Sequence, residues 1–286
     1  MNKRIWLITG CSTGFGRELA KVVAENGERV IGTLRKEEQI QDFESINPEL
    51  VKAVLLDVQD QESIDKTGDL ISKEYGKVDV LVNNAGYGTL GAIEETPDDE
   101  INRQFDVNVY GAIRMIKLVL PYMRKQRSGN ILNITSIAGL NGFPGVGIYN
   151  GSKFALEGIG EALAAEVSHL GIKVTNVEPG PFRTDWAGRS ATYNESSIED
   201  YKETATKNSE SIRSVSGNQV GDPIKAVKAM YELTNLSNPP VHLPLGEPAY
   251  KRIGIRLEEF KAEIDKFEYL GRPTDYTEEE LKKLEE

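Results

Sequence analysis

The sequence predicts an α/β protein, a doubly wound parallel sheet with helices on both faces, and three observations predict it. Short apolar runs of strand length recur at residues 5–8, 29–34, 51–56, 78–82, 130–134 and 172–177. Segments of helical periodicity separate them, at 17–25, 61–75, 100–123 and 149–169. Most of the strand runs are apolar on both faces, as strands between two helical layers must be, because neither face meets water.

Taken in order, Ile5-Trp6-Leu7-Ile8 stops at the turn Thr9-Gly10-Cys11-Ser12-Thr13-Gly14-Phe15-Gly16. A helix follows, its apolar positions supplied by Leu19, Ala20, Val22, Val23 and Ala24, and Gly27 closes it before the second strand. Strand, glycine turn, helix and strand make a βαβ unit. A short helix over 37–46 ends at Asn47-Pro48, the third strand runs into Asp57-Val58, and a helix to Tyr75 ends at Gly76. The fourth strand runs into Asn83-Asn84-Ala85-Gly86. The same rhythm continues to Glu178-Pro179-Gly180, with no interdomain linker before residue 185.

Between 186 and 221 Ser, Thr, Asn, Glu and Lys dominate, with weak helical periodicity over 198–212, and the segment reads as a variable insertion or cover. Asp222-Pro223 starts a helix as N-cap and N1. Residues 241–246 form a last short strand whose Pro244 suits only a sheet edge. Residues 253–269 read as helix, and Thr277-Glu278-Glu279-Glu280 as the capping-box start of an acidic tail helix. The expected organisation is one catalytic domain over 1–250, with a lid at 186–221, and a helical extension over 251–286.

A net charge of −11 argues against nucleic acid or an anionic membrane surface as the main partner. The single cysteine, Cys11, excludes an intramolecular disulfide and any multi-cysteine metal site. No run approaches transmembrane length, and the N-terminal apolar stretch is too short for a signal sequence, so a cytoplasmic protein is expected. His169 and His242 are isolated and are expected near no carboxylate cluster, neither as metal ligand nor as base, and no metal is expected.

Three places carry chemistry. Gly10, Gly14 and Gly16 follow a strand and open a helix, where backbone amides and the helix dipole can approach an anion without interference from Cβ atoms. Leu34 ends the second strand and is followed by Arg35 and Lys36. A guanidinium there can fork onto a 2′-phosphate, which favours NADP(H) over NAD(H). Tyr149 and Lys153, four apart at the start of a helix, share one face. A phenol beside an ammonium group is a candidate acid/base centre, because the positive charge favours the phenolate.

Taken together, Thr9-Gly10-x-x-x-Gly14-x-Gly16, Asn83-Asn84-Ala85-Gly86, Asn108, Ser136, Tyr149-x-x-x-Lys153 and Pro179-Gly180 resemble the short-chain dehydrogenase/reductase family over residues 3–185. The resemblance implies a Rossmann-like fold, a nicotinamide cofactor and hydride exchange between a carbonyl and a secondary alcohol. It implies that Gly10, Ser12, Thr13, Gly14, Phe15 and Gly16 surround the pyrophosphate, and that Asp57 and Val58 contact the adenine. Asn84, Ala85 and Gly86 would lie beside the adenosine ribose. Pro179, Gly180, Phe182 and Thr184 would hold the nicotinamide, and Tyr149 and Lys153 would also touch the cofactor. Asn108, Ser136, Tyr149 and Lys153 are the implied catalytic set. Tyr149 exchanges the proton, Ser136 steadies the reacting oxygen, and Asn108 holds a water that links Lys153 to solvent.

Residues 149–166 are similar to members that act on lipophilic alcohols and ketones, and Tyr87, Leu140, Phe143 and Trp186 are expected as pocket walls. Many relatives pair through their long helices, so a homo-oligomer is open. A dinucleotide-sensing regulator on the same fold is the competing reading, disfavoured by the complete catalytic set. A nucleotide-sugar epimerase is disfavoured by the glycine spacing.

Overall fold

The computed structural model describes residues 3–284. Its strands are β1 (Ile5–Ile8), β2 (Arg29–Leu34), β3 (Val51–Leu55), β4 (Val80–Asn83), β5 (Gly88–Leu90), β6 (Gly129–Ile134), β7 (Ile172–Pro179), β8 (Ala191–Tyr193) and β9 (His242–Leu245). Seven of them form one parallel sheet in the order β3-β2-β1-β4-β6-β7-β9. The strand order reverses between β1 and β4, and the crevice outside their C-terminal ends is where such sheets take ligands.

Two apolar layers enclose the sheet. On one face α1 (Gly14–Glu25), α2 (Ile40–Glu44) and α8 (Pro223–Leu233) contribute Leu19, Val23, Phe43, Val227 and Met230. On the other, α3 (Gln61–Leu70), α5 (Gly111–Gln126) and α6 (Gly147–Val167) contribute Ile64, Met115, Val119, Leu163 and Val167. The strand side chains alternate between these layers, so Trp6 and Ile8 join the first and Ile5 and Leu7 the second. The expected fold class is the observed one, a Rossmann-like sheet in a single domain.

Two details bear on the site. The helix expected over 100–123 is divided into α4 (Asp98–Phe105) and α5 by a π-type turn, Asp106–Tyr110. Such turns insert a residue and re-aim side chains. Pro244 sits in β9 at the sheet edge, where its missing N–H leaves no ladder bond unmade.

The 186–221 insertion is clamped to the body. β8 pairs in parallel with β5 as a separate two-stranded sheet. The Asn208 amide of α7 (Lys207–Ser214) donates to the Pro144 carbonyl at 2.7 Å, and Glu95 Oε1 accepts from the Ile198 amide at 2.9 Å. Asp222 caps α8 through the Ile224 and Lys225 amides, as expected. α9 (Glu247–Gly271) starts on the body, where Ala249 is buried, and then projects outward. α10 (Glu278–Leu284) follows, capped by Thr277, whose amide donates to Glu280 Oε2 at 2.8 Å.

Candidate active site

The glycine turn after β1 is stitched to the segment after β4. Thr9 Oγ1 accepts from the amides of Asn84 and Ala85 at 3.0 and 2.9 Å, and Asn84 Nδ2 donates to the carbonyls of Thr9 and Gly10 at 2.8 and 3.0 Å. A Cβ on Gly16 would stand 2.5 Å from the Gly10 oxygen and 2.6 Å from Asn84 Nδ2, so only glycine allows this closure. Gly10 and Gly14 have φ of +69° and +59°, a region open to glycine. The result is a bare backbone cradle at the start of α1, which fits the pyrophosphate of a dinucleotide. Thr184 lies across from it, 3.7 Å from where a Gly14 Cβ would be.

Ser136 follows β6, and its Oγ accepts from the Ala138 amide at 3.0 Å, which fixes the side chain at the strand end. Tyr149 enters from the first turn of α6 and is buried. Burial pushes its phenol well above the ordinary value, and a hydrogen bond with Ser136 opposes part of the rise. Lys153, one turn on, has its Nζ 5.7 Å from the Tyr149 ring centre and donates to the Ile134 carbonyl at 2.8 Å. Burial lowers this ammonium to about 8, while Glu157 works in the other direction. The lysine was expected to pull the phenol down. In this closed arrangement desolvation dominates, and the ammonium is engaged by a backbone carbonyl.

Asn108 sits in the π-type turn. Its Oδ1 accepts from the Tyr87 amide at 3.1 Å, and its Nδ2 donates to the Tyr87 carbonyl at 2.9 Å and to Ser152 Oγ at 3.1 Å. A Cβ on Gly86 would meet both Asn108 Oδ1, at 3.1 Å, and Lys153 Nζ, at 3.6 Å. Asn108 and Lys153 therefore border the same small space above Gly86. Asn108, Ser136, Tyr149 and Lys153, spread over 46 positions in sequence, are brought to one end of the sheet beside the cradle.

A family profile described as short chain dehydrogenase matches residues 4–194, more than half of the chain. The chain belongs to the short-chain dehydrogenase family. It is 38% identical to the 3-ketodihydrosphingosine reductase of Bacteroides thetaiotaomicron over 86% of this chain and 89% of that one. A short-chain dehydrogenase of known structure from Streptomyces avermitilis superposes with a TM-score of 0.90 at 38% identity, covering 96% of this chain and 99% of that one. A second solved structure, ElxO with NADP bound, is 29% identical with a TM-score of 0.70, covering 85% and 97%. This short-chain dehydrogenase is thus an enzyme acting on CH–OH and C=O groups with a nicotinamide cofactor.

The insertion packs against the Tyr149 region of this dehydrogenase. Trp186 lies against Tyr149, and a Cβ on Gly88 would collide with its indole at 2.5 Å. Around the pair Leu90, Ala138, Val146, Phe143, Tyr193 and Ile212 form a small apolar cluster. Of the other expected pocket walls, Tyr87 is buried beneath Arg103, whose guanidinium is 4.6 Å from its ring centre, and Leu140 is half-buried.

The remaining expected cofactor residues fall around the same crevice. Arg35 is exposed just beyond β2. Asp57 Oδ1 accepts from the Gln59 amide at 3.0 Å, so it shapes the turn after β3, and Val58 packs on Gly111. Phe15 meets Phe182 edge-on at 5.4 Å, and the Gly180 amide donates to the Leu245 carbonyl at 3.0 Å, placing the Pro179-Gly180 corner against β9. No described helix is long and apolar enough to cross a membrane.

Three residues near the site were not singled out from sequence as site residues. Thr9 ties the two loops together, Ser152 holds Asn108, and Arg189 donates to Thr13 Oγ1 over the glycine turn. Thr9 and Ser152 lie inside the motif strings, which is the signal they offered. Arg189 crosses from the insertion, and no spacing rule reaches it.

One expectation is corrected. His242 does join a carboxylate cluster, with Nδ1 2.7 Å from Glu178 Oε1 and 3.6 Å from Glu157 Oε2, and Nε2 3.5 Å from Glu161. Parallel pairing of β9 on β7 sets His242 opposite Asn176, and α6 lays Glu157 over both. The sequence holds these residues up to 85 positions apart, so their meeting was invisible in it. Burial raises Glu157 to about 7, Glu178 adds to the rise, and Asn176 and His242 oppose it. His169 is exposed at the end of α6, away from this cluster.

Proposed function

We propose that this enzyme interconverts a lipophilic ketone or aldehyde with its alcohol, prefers NADP(H) to NAD(H), and uses Tyr149 as its acid/base. The observation that carries the reading is the convergence of Tyr149, Ser136, Lys153 and Asn108 beside a cradle that only glycine can form. The nicotinamide, when bound, supplies or accepts the hydride.

Tyr149, held protonated by its buried setting, donates its proton to the carbonyl oxygen in reduction and takes it back in oxidation. Ser136 hydrogen-bonds the same oxygen and steadies the charge that develops there. Lys153 supplies a positive charge beneath the Tyr149 ring, which favours the phenolate once the proton has left. Its ammonium would also hydrogen-bond the nicotinamide ribose, and Asn108 would hold a water that links Lys153 to solvent. Gly10, Ser12, Thr13, Gly14, Phe15 and Gly16 would hold the pyrophosphate. Asp57 and Val58 would take the adenine, Asn84, Ala85 and Gly86 the adjoining ribose, and Pro179, Gly180, Phe182 and Thr184 the nicotinamide.

Arg35 supports the NADP(H) preference. It is exposed at the end of β2 and forms no ion pair among the described residues, whereas neighbouring Lys36 faces Glu38 at 3.6 Å. ElxO carries NADP in the same fold. The apolar cluster around Trp186 and the 3-ketodihydrosphingosine named for the Bacteroides relative support a lipophilic substrate.

The test is NADPH consumption across a panel of long-chain and cyclic ketones and aldehydes. Turnover of apolar members is expected, at least tenfold faster with NADPH than with NADH. Tight NADPH binding with no turnover of any member would instead support the sensing regulator.

A further inference from the structure

The C-terminal helix carries a surface that the chain itself leaves bare. Along α9, Tyr250, Ile253, Leu257, Phe260, Ile264 and Phe267 alternate at spacings of three and four. That is the spacing of a coiled-coil seam, and these six side chains fall on one stripe. Yet Leu257 is 63% exposed and Ile264 54%, and every described residue from Leu257 onward is exposed. A helix standing alone in water gains little from propensity, and most helical stability comes from packing an apolar face. From Leu257 onward, nothing outside the helix packs on this face among the described residues.

We propose that α9 is the docking surface for a second copy of this chain, with the two helices antiparallel along the seam. Charge decides both partner and direction. The seam is flanked by Arg256 and Glu263 on one side and by Lys261 and Glu268 on the other. A parallel pair would set Arg256 against the partner's Lys261 and Glu263 against the partner's Glu268, like charges in both cases. An antiparallel pair sets Leu257 against the partner's Phe260, Ile264 against the partner's Ile253, and Tyr250 against the partner's Phe267. It also places Arg256 beside the partner's Glu263, twice by symmetry.

The ion pairs within the helix do not use those two residues, and the Arg256 guanidinium lies over the Phe260 ring, 4.8 Å from its centre. Arg252 pairs with Glu259 at 3.5 Å and Lys261 with Asp265 at 2.6 Å, while Arg256 and Glu263 have no ion pair among the described residues. A lipid surface is the poorer occupant. α9 carries five basic and six acidic residues, not the basic face that an anionic bilayer attracts.

The experiment uses the full chain, with mass measured by sedimentation and direction by cross-linking. Leu257→Asp with Ile264→Asp should halve the assembly mass and leave NADPH affinity within twofold, because both positions are exposed and remote from the cofactor cradle. In a mixture of tagged Leu257→Cys and untagged Phe260→Cys chains, mild oxidation should link the two kinds to each other. Cys11 is buried and takes no part. Arg256→Glu should weaken the pair at least tenfold, and adding Glu263→Arg should restore it. An unchanged mass in the double aspartate variant would overturn the proposal, as would cross-links formed only between Leu257→Cys chains. So would binding of the wild type to phosphatidylcholine vesicles in place of self-association.

Discussion

Trp186 covers Tyr149, their ring centres 4.9 Å apart and their planes inclined by 49°. The contact joins the first residues of the insertion to the proposed acid/base centre. A substrate carbonyl can reach the phenol only if the indole gives way or forms a wall beside it. The insertion therefore touches the proposed acid/base residue directly.

Trp186→Ala should raise KM for an apolar ketone about tenfold, the loss of an aromatic wall worth roughly 1.4 kcal/mol. The kcat should stay within a few-fold, because the tryptophan gives no proton. Hydrogen exchange over residues 186–221 should slow when cofactor and substrate are both bound. An unchanged KM together with unchanged exchange would detach the insertion from the site.

Arg35→Ala should weaken NADPH binding ten- to a hundredfold and leave NADH within twofold, as expected for a charge-assisted contact to a 2′-phosphate worth roughly 1.5–3 kcal/mol. Titration of both cofactors by fluorescence checks it. Equal losses for the two would assign the 2′-phosphate to another group.

Glu157 should give stability a pH dependence. The folded chain holds this proton to about pH 7, whereas an unfolded chain releases it near the ordinary carboxylate value of about 4.3. Between those values the folded state binds more protons, so its stability falls as pH rises. Glu178, His242, Asn176 and Lys153 are the groups that face it. Glu157→Gln removes the titration. Its Tm relative to wild type should therefore rise by several degrees from pH 5 to pH 8, at roughly 2–4 °C per kcal/mol. A constant difference across that range would show that Glu157 is already ionised.

Much of this molecule was legible in its sequence because the signals are local. The glycine turn, the apolar strand runs and the caps at Asp222 and Thr277 each depend on a few adjacent residues, and all appear where expected. Gly160 packs so closely on Asn176 that no Cβ fits, in keeping with packing inside the domain. The illegible parts are long-range. β5 and β8 are three residues each, too short for periodicity, and exist only because the insertion folds back. The π-type turn at Asn108 interrupts a helical stripe without changing its composition. The direction in which Tyr149 shifts depends on its burial, and Trp186, which lies against it, is 37 positions away, which spacing to Lys153 could not show.

The central claim is that Tyr149 carries the proton, and the most direct measurement is ketone-dependent NADPH oxidation by Tyr149→Phe. Phenylalanine keeps the ring against Trp186 and removes only the hydroxyl, so NADPH affinity should stay within a few-fold. The kcat should fall by about 100- to 10,000-fold, the usual worth of a positioned proton donor. A variant that turned over at more than a tenth of the wild-type rate would contradict the account, and the acid would have to be sought elsewhere in the site.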